Sequence, residues 1–172
     1  MTNSLTLRRA GPQDARKLSL LGGAAFLESF ASDHPGDALV DHCATEHSVD
    51  SYDTVLSNNA YAMWLLEEAV GAPVGYAMLA PAELAAGIEG DMELKRIYVL
   101  SRWHGQKYGA QLLDAVIREA SARGAKRLIL AVYSANHSAR AFYARKGFSE
   151  IGVTTFAVGE VIFDDLVVAR PL

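Results

Sequence analysis

The sequence predicts an α/β fold, one mixed sheet with helices on both of its faces. Three observations carry that expectation. Turn and breaker residues cut the chain into segments whose order reads β-α-α-β-β-β-α-β-α-β-β. Arg127 to Tyr133 is a continuous apolar run of strand length, the pattern of a strand covered on both sides. From Gly109, Leu112, Leu113, Val116, Ile117 and Ala120 recur at steps of three and four, which gives a helix one buried stripe.

Leu5 and Leu7, with Arg8 and Arg9, read as the first strand. Gly11 closes it, and Pro12 suits the first turn of a helix that runs to about Phe30 with Leu18, Leu21, Ala25 and Leu27 to Phe30 on its buried side. Pro35 and Gly36 break that helix. A second helical region spans about Asp37 to Asn58 and is interrupted near Ser48, whose hydroxyl can cap a restart. Tyr61 to Glu67 and Val74 to Ala80 form a hairpin about Gly71 to Pro73. Pro81 to Gly90 mixes breakers with small residues and reads as a flexible loop. Met92 to Val99 is the next strand. The helix that follows ends at Gly124, and Asn136 to Lys146 is a helix stopped by Gly147. Phe148 to Ala157 and Val161 to Val168 close the fold as an antiparallel pair around Gly159.

With 172 residues and 51% apolar content, the chain suits a single domain over residues 1–172. A net charge of −4 offers no electrostatic footprint for nucleic acid or an anionic membrane. Cys43 stands alone, which rules out an internal disulfide, and it reads as a small core hydrophobe. No secretory segment and no apolar run of about twenty residues is evident, so a soluble, cytoplasmic protein is expected. His42 and His47 lack partners at metal-ligand spacing; surface or capping roles, and no metal, are expected.

Two segments carry chemistry. GluLeuLysArgIleTyrVal at 93–99, followed by HisGlyGlnLysTyrGlyAla at 104–110, sets a strand, a glycine-containing turn and a helix N-terminus in succession, a site for a phosphate-bearing ligand. Downstream, AsnHisSerAlaArgAlaPheTyrAlaArgLysGlyPhe at 136–148 places Asn136 and Tyr143 seven residues apart, on nearly one helix face.

From Glu93 to Phe148 the chain resembles the GNAT superfamily of acyl-CoA-dependent N-acetyltransferases, and the element order over nearly its whole length fits that fold, a mostly antiparallel sheet. The family's turn reads Gln/Arg-x-x-Gly-x-Gly/Ala; the matching positions here are His104, Gly105, Gln106, Lys107, Tyr108 and Gly109, with Ala110 next. His104 replaces the usual Gln or Arg, and Lys107 replaces the first glycine, where relaxed dihedrals favour close approach of a phosphate. By this resemblance the amides of the turn cradle the coenzyme A pyrophosphate. Asn136 and the backbone of Ile97 and Val99 hold the pantetheine arm, and Tyr143 protonates the departing thiolate. The phenol chemistry suits that acid, although Tyr143 equally suits an amphipathic position at the rim of a core. Glu93 occupies a position where many members carry a basic carboxylate that receives the amine's proton. Strand alternation puts it on one face with Lys95, Ile97 and Val99, so an ion pair with Lys95 is the competing role, and Tyr98 or water are other proton acceptors.

Within the superfamily the ends of the chain look most like a branch that includes polyamine and diamine acetyltransferases. An acceptor pocket is expected from Phe26, Glu28 and Phe30, with Asp33 and His34 nearby, because aromatic and acidic groups suit an amine; Phe26 and Phe30, four apart, equally suit the core. The expectation is therefore an N-acetyltransferase using acetyl-CoA, without a metal, that transfers directly to a primary amine of a small molecule, a polyamine favoured. A protein or peptide amine, or a non-catalytic CoA-binding regulator, are the alternatives, and a homodimer is left open.

Overall fold

The computed structural model describes residues 5–172. Strand β1 (Thr6–Arg9) is followed by a 3-10 turn (Pro12–Asp14), then helices α1 (Ala15–Phe30), α2 (Gly36–Glu46) and α3 (Val49–Leu56). Strands β2 (Ala62–Glu67), β3 (Pro73–Pro81) and β4 (Asp91–Val99) come next, then a 3-10 turn (Ser101–Trp103) and α4 (Tyr108–Ala122). β5 (Arg127–Tyr133), α5 (His137–Arg145), β6 (Ser149–Val158) and β7 (Val161–Pro171) complete the chain. The sheet has seven strands in the order β1-β2-β3-β4-β5-β7-β6, antiparallel throughout except for β4 beside β5.

Local chemistry explains most boundaries. The first helix begins three residues later than the sequence suggests. The Asp14 carboxylate accepts from the Gly11 N–H at 2.8 Å and is gripped twice by the Arg8 guanidinium, which holds Pro12–Asp14 as a separate tight turn. Ser48 caps α3 by accepting from the Ser51 N–H at 3.1 Å. Gly124 follows α4 with φ of 79°, and Gly147 follows α5 with φ of 86°, the left-handed conformation that closes a helix. β7 runs on past Val168 to Pro171, because Arg127 of β5 still finds a partner there.

The sheet separates two apolar layers. On one face α4 contributes Leu112, Leu113 and Val116, and α5 contributes Tyr143, against Trp64, Leu66, Ala77, Leu79, Leu94, Leu128 and Leu130. On the other face α1 and α3 bury Leu18, Leu21 and Tyr52 against Met63, Leu65, Tyr76 and Met78. Each fully buried leucine here removes enough apolar surface to contribute about 1.5–3 kcal/mol.

Two irregularities in β4 shape everything that follows. Its parallel pairing with β5 lasts for three residues, 91–93 against 127–129, after which the two strands diverge. Against β3, Met78 faces Arg96 while Leu79 faces Leu94, so Lys95 is an extra residue in a bulge. The bulge reverses side-chain parity. Met92, Leu94, Ile97 and Val99 all pack with α4, whereas Tyr98 packs with α1 and α3. The simple alternation that put Glu93 on one face with Ile97 and Val99 is thus corrected: Glu93 and those two residues lie on opposite faces. Among the described residues no helix is long and apolar enough to cross a membrane.

Candidate active site

Where β4 and β5 part, a cleft of about 610 Å³ opens through the sheet. Glu93, Ile97, Asn136 and Tyr143 line it together with Phe26 and Phe30. Residues from both sequence segments therefore meet in one space, and they enter it from opposite faces.

At one end lies the turn after β4. Among the described residues the N–H groups of residues 105–110 find no backbone or side-chain acceptor; the first capping bond of α4 is from Gln111 to the Lys107 carbonyl at 3.1 Å. Lys107 itself is left-handed, with φ of 64°, the only non-glycine described residue at positive φ. So the backbone adopts the conformation of a glycine turn without the glycine. That departure is tolerated by paying about 1–2 kcal/mol of local strain, of the kind found where backbone amides must converge on a ligand. A Cβ added at Gly105 or Gly109 would meet nothing within 4 Å, so the surface over the turn is open. The free amides and the helix N-terminus fit a phosphate.

His104 does not point outward. Its Nε2–H donates to the Val99 carbonyl at 2.6 Å, which ties the turn back onto the strand. The Leu100 N–H is spent on the Val74 carbonyl in β3, so alternation turns the backbone groups of Val99 and Ile97 toward the side that β5 has vacated. Val99 keeps its N–H free there, while its carbonyl is already shared with His104. Asn136 caps α5 through Oδ1, which accepts from the Ala139 N–H at 3.0 Å; its amide –NH2 has no partner among the described residues.

Tyr143 is packed and also borders the cleft. Its ring is packed between Phe142 and Phe148, at centroid distances of 5.2 and 5.6 Å. Its hydroxyl has no hydrogen-bond partner among the described residues and the side chain borders the cleft. Burial, with a further contribution from Tyr98, pushes the phenol well above its ordinary range, so it is a protonated donor at neutral pH.

Glu93 is buried, with 4% exposure, on the other face. Its carboxylate accepts from the Glu83 N–H at 2.9 Å, and Lys95 Nζ stands 3.5 Å away, closer to Glu83 at 2.6 Å. Although burial works against the Lys95 charge, the Glu83 and Glu93 carboxylates more than offset it and raise its pKa. Of the Pro81 to Gly90 segment, expected to be a flexible loop, Pro81 ends β3 and the rest is a loop anchored at three points: besides the Glu83 bond, the Ile88 N–H donates to Asp91, and Leu84 borders the cleft. Tyr98, pushed up to about 12 mainly by burial, is protonated at neutral pH.

Aromatic rings line the same cleft as Glu93. Phe26 packs against Phe30 at 4.6 Å and stacks on His42 at 4.3 Å, and Phe156 lies 6.3 Å from Phe26. Glu28 is not part of it. Its carboxylate accepts from the Ser101 N–H and hydroxyl at 3.0 and 2.7 Å, holding the turn after β4. His42 and His47, expected in surface or capping roles, both line the cleft, and His47 is the C-cap residue of α2. His47 is buried with Nδ1 2.9 Å from the Tyr52 hydroxyl, and burial, helped by Arg96 and His42, pushes it down to about 3. Sequence reasoning gave no site role to Arg96, which sits within the 93–99 segment, or to Thr154, Phe156, Phe163 and Asp165, because strands far apart in sequence deliver them to the cleft. Among the described residues no group of three side chains is placed to hold a metal ion.

Residues 24–148 match the family model described as the acetyltransferase (GNAT) family. An N-acetyltransferase of Mycobacterium bovis is 35% identical over 137 residues, covering 75% of this chain and 85% of that protein. Among solved structures, PaiA N-acetyltransferase from Thermoplasma acidophilum, in complex with coenzyme A, superimposes with a TM-score of 0.78 at 18% identity, over 98% of this chain and 99% of its own. Ribosomal-protein-alanine N-acetyltransferase from Brucella melitensis gives 0.77 at 25% identity, over 98% and 100%. With the split between β4 and β5, the free amides after it and this kinship in sequence, the chain belongs to the acetyltransferase (GNAT) family and is an N-acetyltransferase.

Proposed function

We propose that this enzyme acetylates the primary amine of a small molecule, a polyamine being the favoured class, by direct transfer while acetyl-CoA and the amine are bound together. The acetyl donor is acetyl-CoA, as for the family, and the chain fits it: open amides at 105–110 for the pyrophosphate, the vacated edge of β4 at Ile97 and Val99 and the Asn136 amide for the arm. The thioester supplies an activated acyl carbon. The rest is the work of side chains. An amine is a nucleophile only when neutral, so its proton must leave, and Glu93 is the buried carboxylate at the last paired residue of β4 and β5, oriented by the Glu83 N–H, that receives it directly or through water. From the other face the Tyr143 hydroxyl donates to the departing thiolate. Burial keeps the phenol protonated, so its proton is held in place until charge develops on the sulfur.

The observation that carries this reading is the meeting of Glu93 and Tyr143 in one cleft from opposite sides of the sheet. The cleft holds the carboxylates of Asp33, Glu46, Glu93 and Asp165 against Lys95 and Arg96, an excess of negative charge that suits an amine. The test is acetyl-CoA turnover over a panel of polyamines, amino acids and N-terminal peptides, with Tyr143→Phe alongside. Small cationic amines should be preferred. Tyr143→Phe keeps the ring packing and should lower kcat by about a hundredfold or more with little change in acetyl-CoA affinity. Preference for N-terminal peptides would move the reading to a protein amine, and unchanged kcat in Tyr143→Phe with chemistry rate-limiting would return Tyr143 to the core.

A further inference from the structure

The charges that line the cleft differ in how far they are already satisfied. Lys95 is held by Glu83 and Glu93. Arg96 donates to the Glu46 carboxylate at 3.2 Å, and to the Glu46 carbonyl and the Tyr52 hydroxyl at 3.3 Å each. Asp33 is exposed to water. Asp165 differs from all of these: it is half-buried, it borders the cleft, and among the described residues no cation or hydrogen-bond donor lies within reach of its carboxylate. A carboxylate withdrawn from water with nothing to pair with is unfavourable, and such groups are kept where a ligand completes them. Burial, and then the neighbouring Asp164, raise its pKa, as expected of an acid lacking its counter-ion.

Its place in the sheet is informative. Asp165 lies directly opposite Tyr133 of β5 and Thr154 of β6. Leu166 and Val168 pack on the α4 and α5 face, so alternation sends Asp165 and Phe163 to the acceptor face, beside Tyr133. Tyr133 and Phe163 meet edge to face at 5.4 Å, and both border the cleft. An unpaired acid beside two aromatic rings is complementary to an ammonium group, through ion pairing and cation–π contact. Glu93 is level with Ile129 on β5 and Asp165 with Tyr133, four residues farther along that strand, which is roughly 13 Å. One ammonium cannot serve both carboxylates.

We propose that Asp165, with Tyr133 and Phe163, docks a second cationic group of the acceptor, so that the substrate is a dication whose reacting amine sits at the Glu93 end while its distal ammonium sits at Asp165. This rests on reading the cleft as the site of an amine acetyltransferase, and it names the residue that would set the choice of amine.

The experiment compares 1,8-diaminooctane with 8-amino-1-octanol, which replaces the distal ammonium by a neutral hydroxyl, in the wild-type enzyme and in Asp165→Asn, a substitution of the same shape. The wild type should favour the diamine by about tenfold or more in kcat/KM, and Asp165→Asn should erase that preference by raising KM for the diamine far more than for the amino alcohol. Equal treatment of the two amines by the wild type, or an equal loss for both in Asp165→Asn, overturns the dock. Calorimetric binding of the diamine to the protein saturated with coenzyme A gives a readout independent of turnover. Tighter binding of the diamine than of the amino alcohol, lost in Asp165→Asn, sustains the dock even if neither amine is acetylated, in which case the acetylation reading fails alone. Acetylation of other amines with no preference for the diamine leaves that reading standing and removes this one.

Discussion

At the scale of single residues, the carboxylate of Glu93 is both a candidate base and one end of a charge cluster. If it receives the amine's proton, Glu93→Gln should depress turnover most at low pH, where the amine is protonated and needs the base, and so steepen the acidic limb of the pH–rate profile. Lys95→Met should change stability without that change of shape. An unaltered profile in Glu93→Gln, with similar stability loss in both variants, assigns Glu93 to structure. His47 gives a second prediction. Its folded pKa, about 3, lies below the ordinary 6.5, so between those values the unfolded chain binds the proton that the folded chain refuses. The stability from a neutral His47 is full above about pH 6.5 and is lost as pH falls toward 3; His42, also lowered by burial, acts in the same direction. Urea midpoints measured from pH 7 to 4 should fall, and His47→Gln should flatten that decline. A decline as steep in the variant would place the acid sensitivity elsewhere.

The same logic extends to elements. The bulge at Lys95 lets β4 present Glu93 to the acceptor face and Ile97 and Val99 to the α4 face, and the turn that follows converts the end of the strand into a row of free amides. Lys107 is the strained link in that turn, with φ of 64°. Lys107→Gly relieves about 1–2 kcal/mol of left-handed strain but makes the unfolded chain more flexible by about 0.5–1 kcal/mol, so a net stabilisation of about 0.5–1 kcal/mol is expected. The midpoint of urea unfolding, at unchanged slope, measures it. A destabilised Lys107→Gly would mean that the lysine side chain contributes contacts that outweigh its backbone.

For the whole molecule, binding on both sides of the sheet opening should couple to stability. Acetyl-CoA at about a hundred times its Kd should add about 2.7 kcal/mol by mass action, a rise in Tm of about 5–10 °C for a chain of this size. Gly109→Pro, in a helix first turn that tolerates proline, deletes one amide of the cradle and should shrink the shift while leaving the protein folded. A flat melt at saturating acetyl-CoA would remove the placement of the pyrophosphate at residues 105–110.

The sequence by itself determined the elements and the family. Apolar spacing located α4, the continuous run located β5, and the two segments at 93–110 and 136–148 are local in sequence, so their chemistry could be read along one strand, one turn and one helix. It also foretold Phe26 and Phe30 as ambiguous between core and pocket, and they are both: Phe26 is buried at 3% exposure and both rings border the cleft. Only the tertiary structure decided the rest. A bulge shifts parity by one residue and leaves no residue-type signature at Lys95, so the face of Glu93 relative to Ile97 could not be counted from the sequence. Glu28 bonds Ser101 across 73 residues of chain. Asp165 reaches the acceptor face because β7 inserts between β5 and β6, a pairing set by the burial of whole strands and invisible to any local pattern.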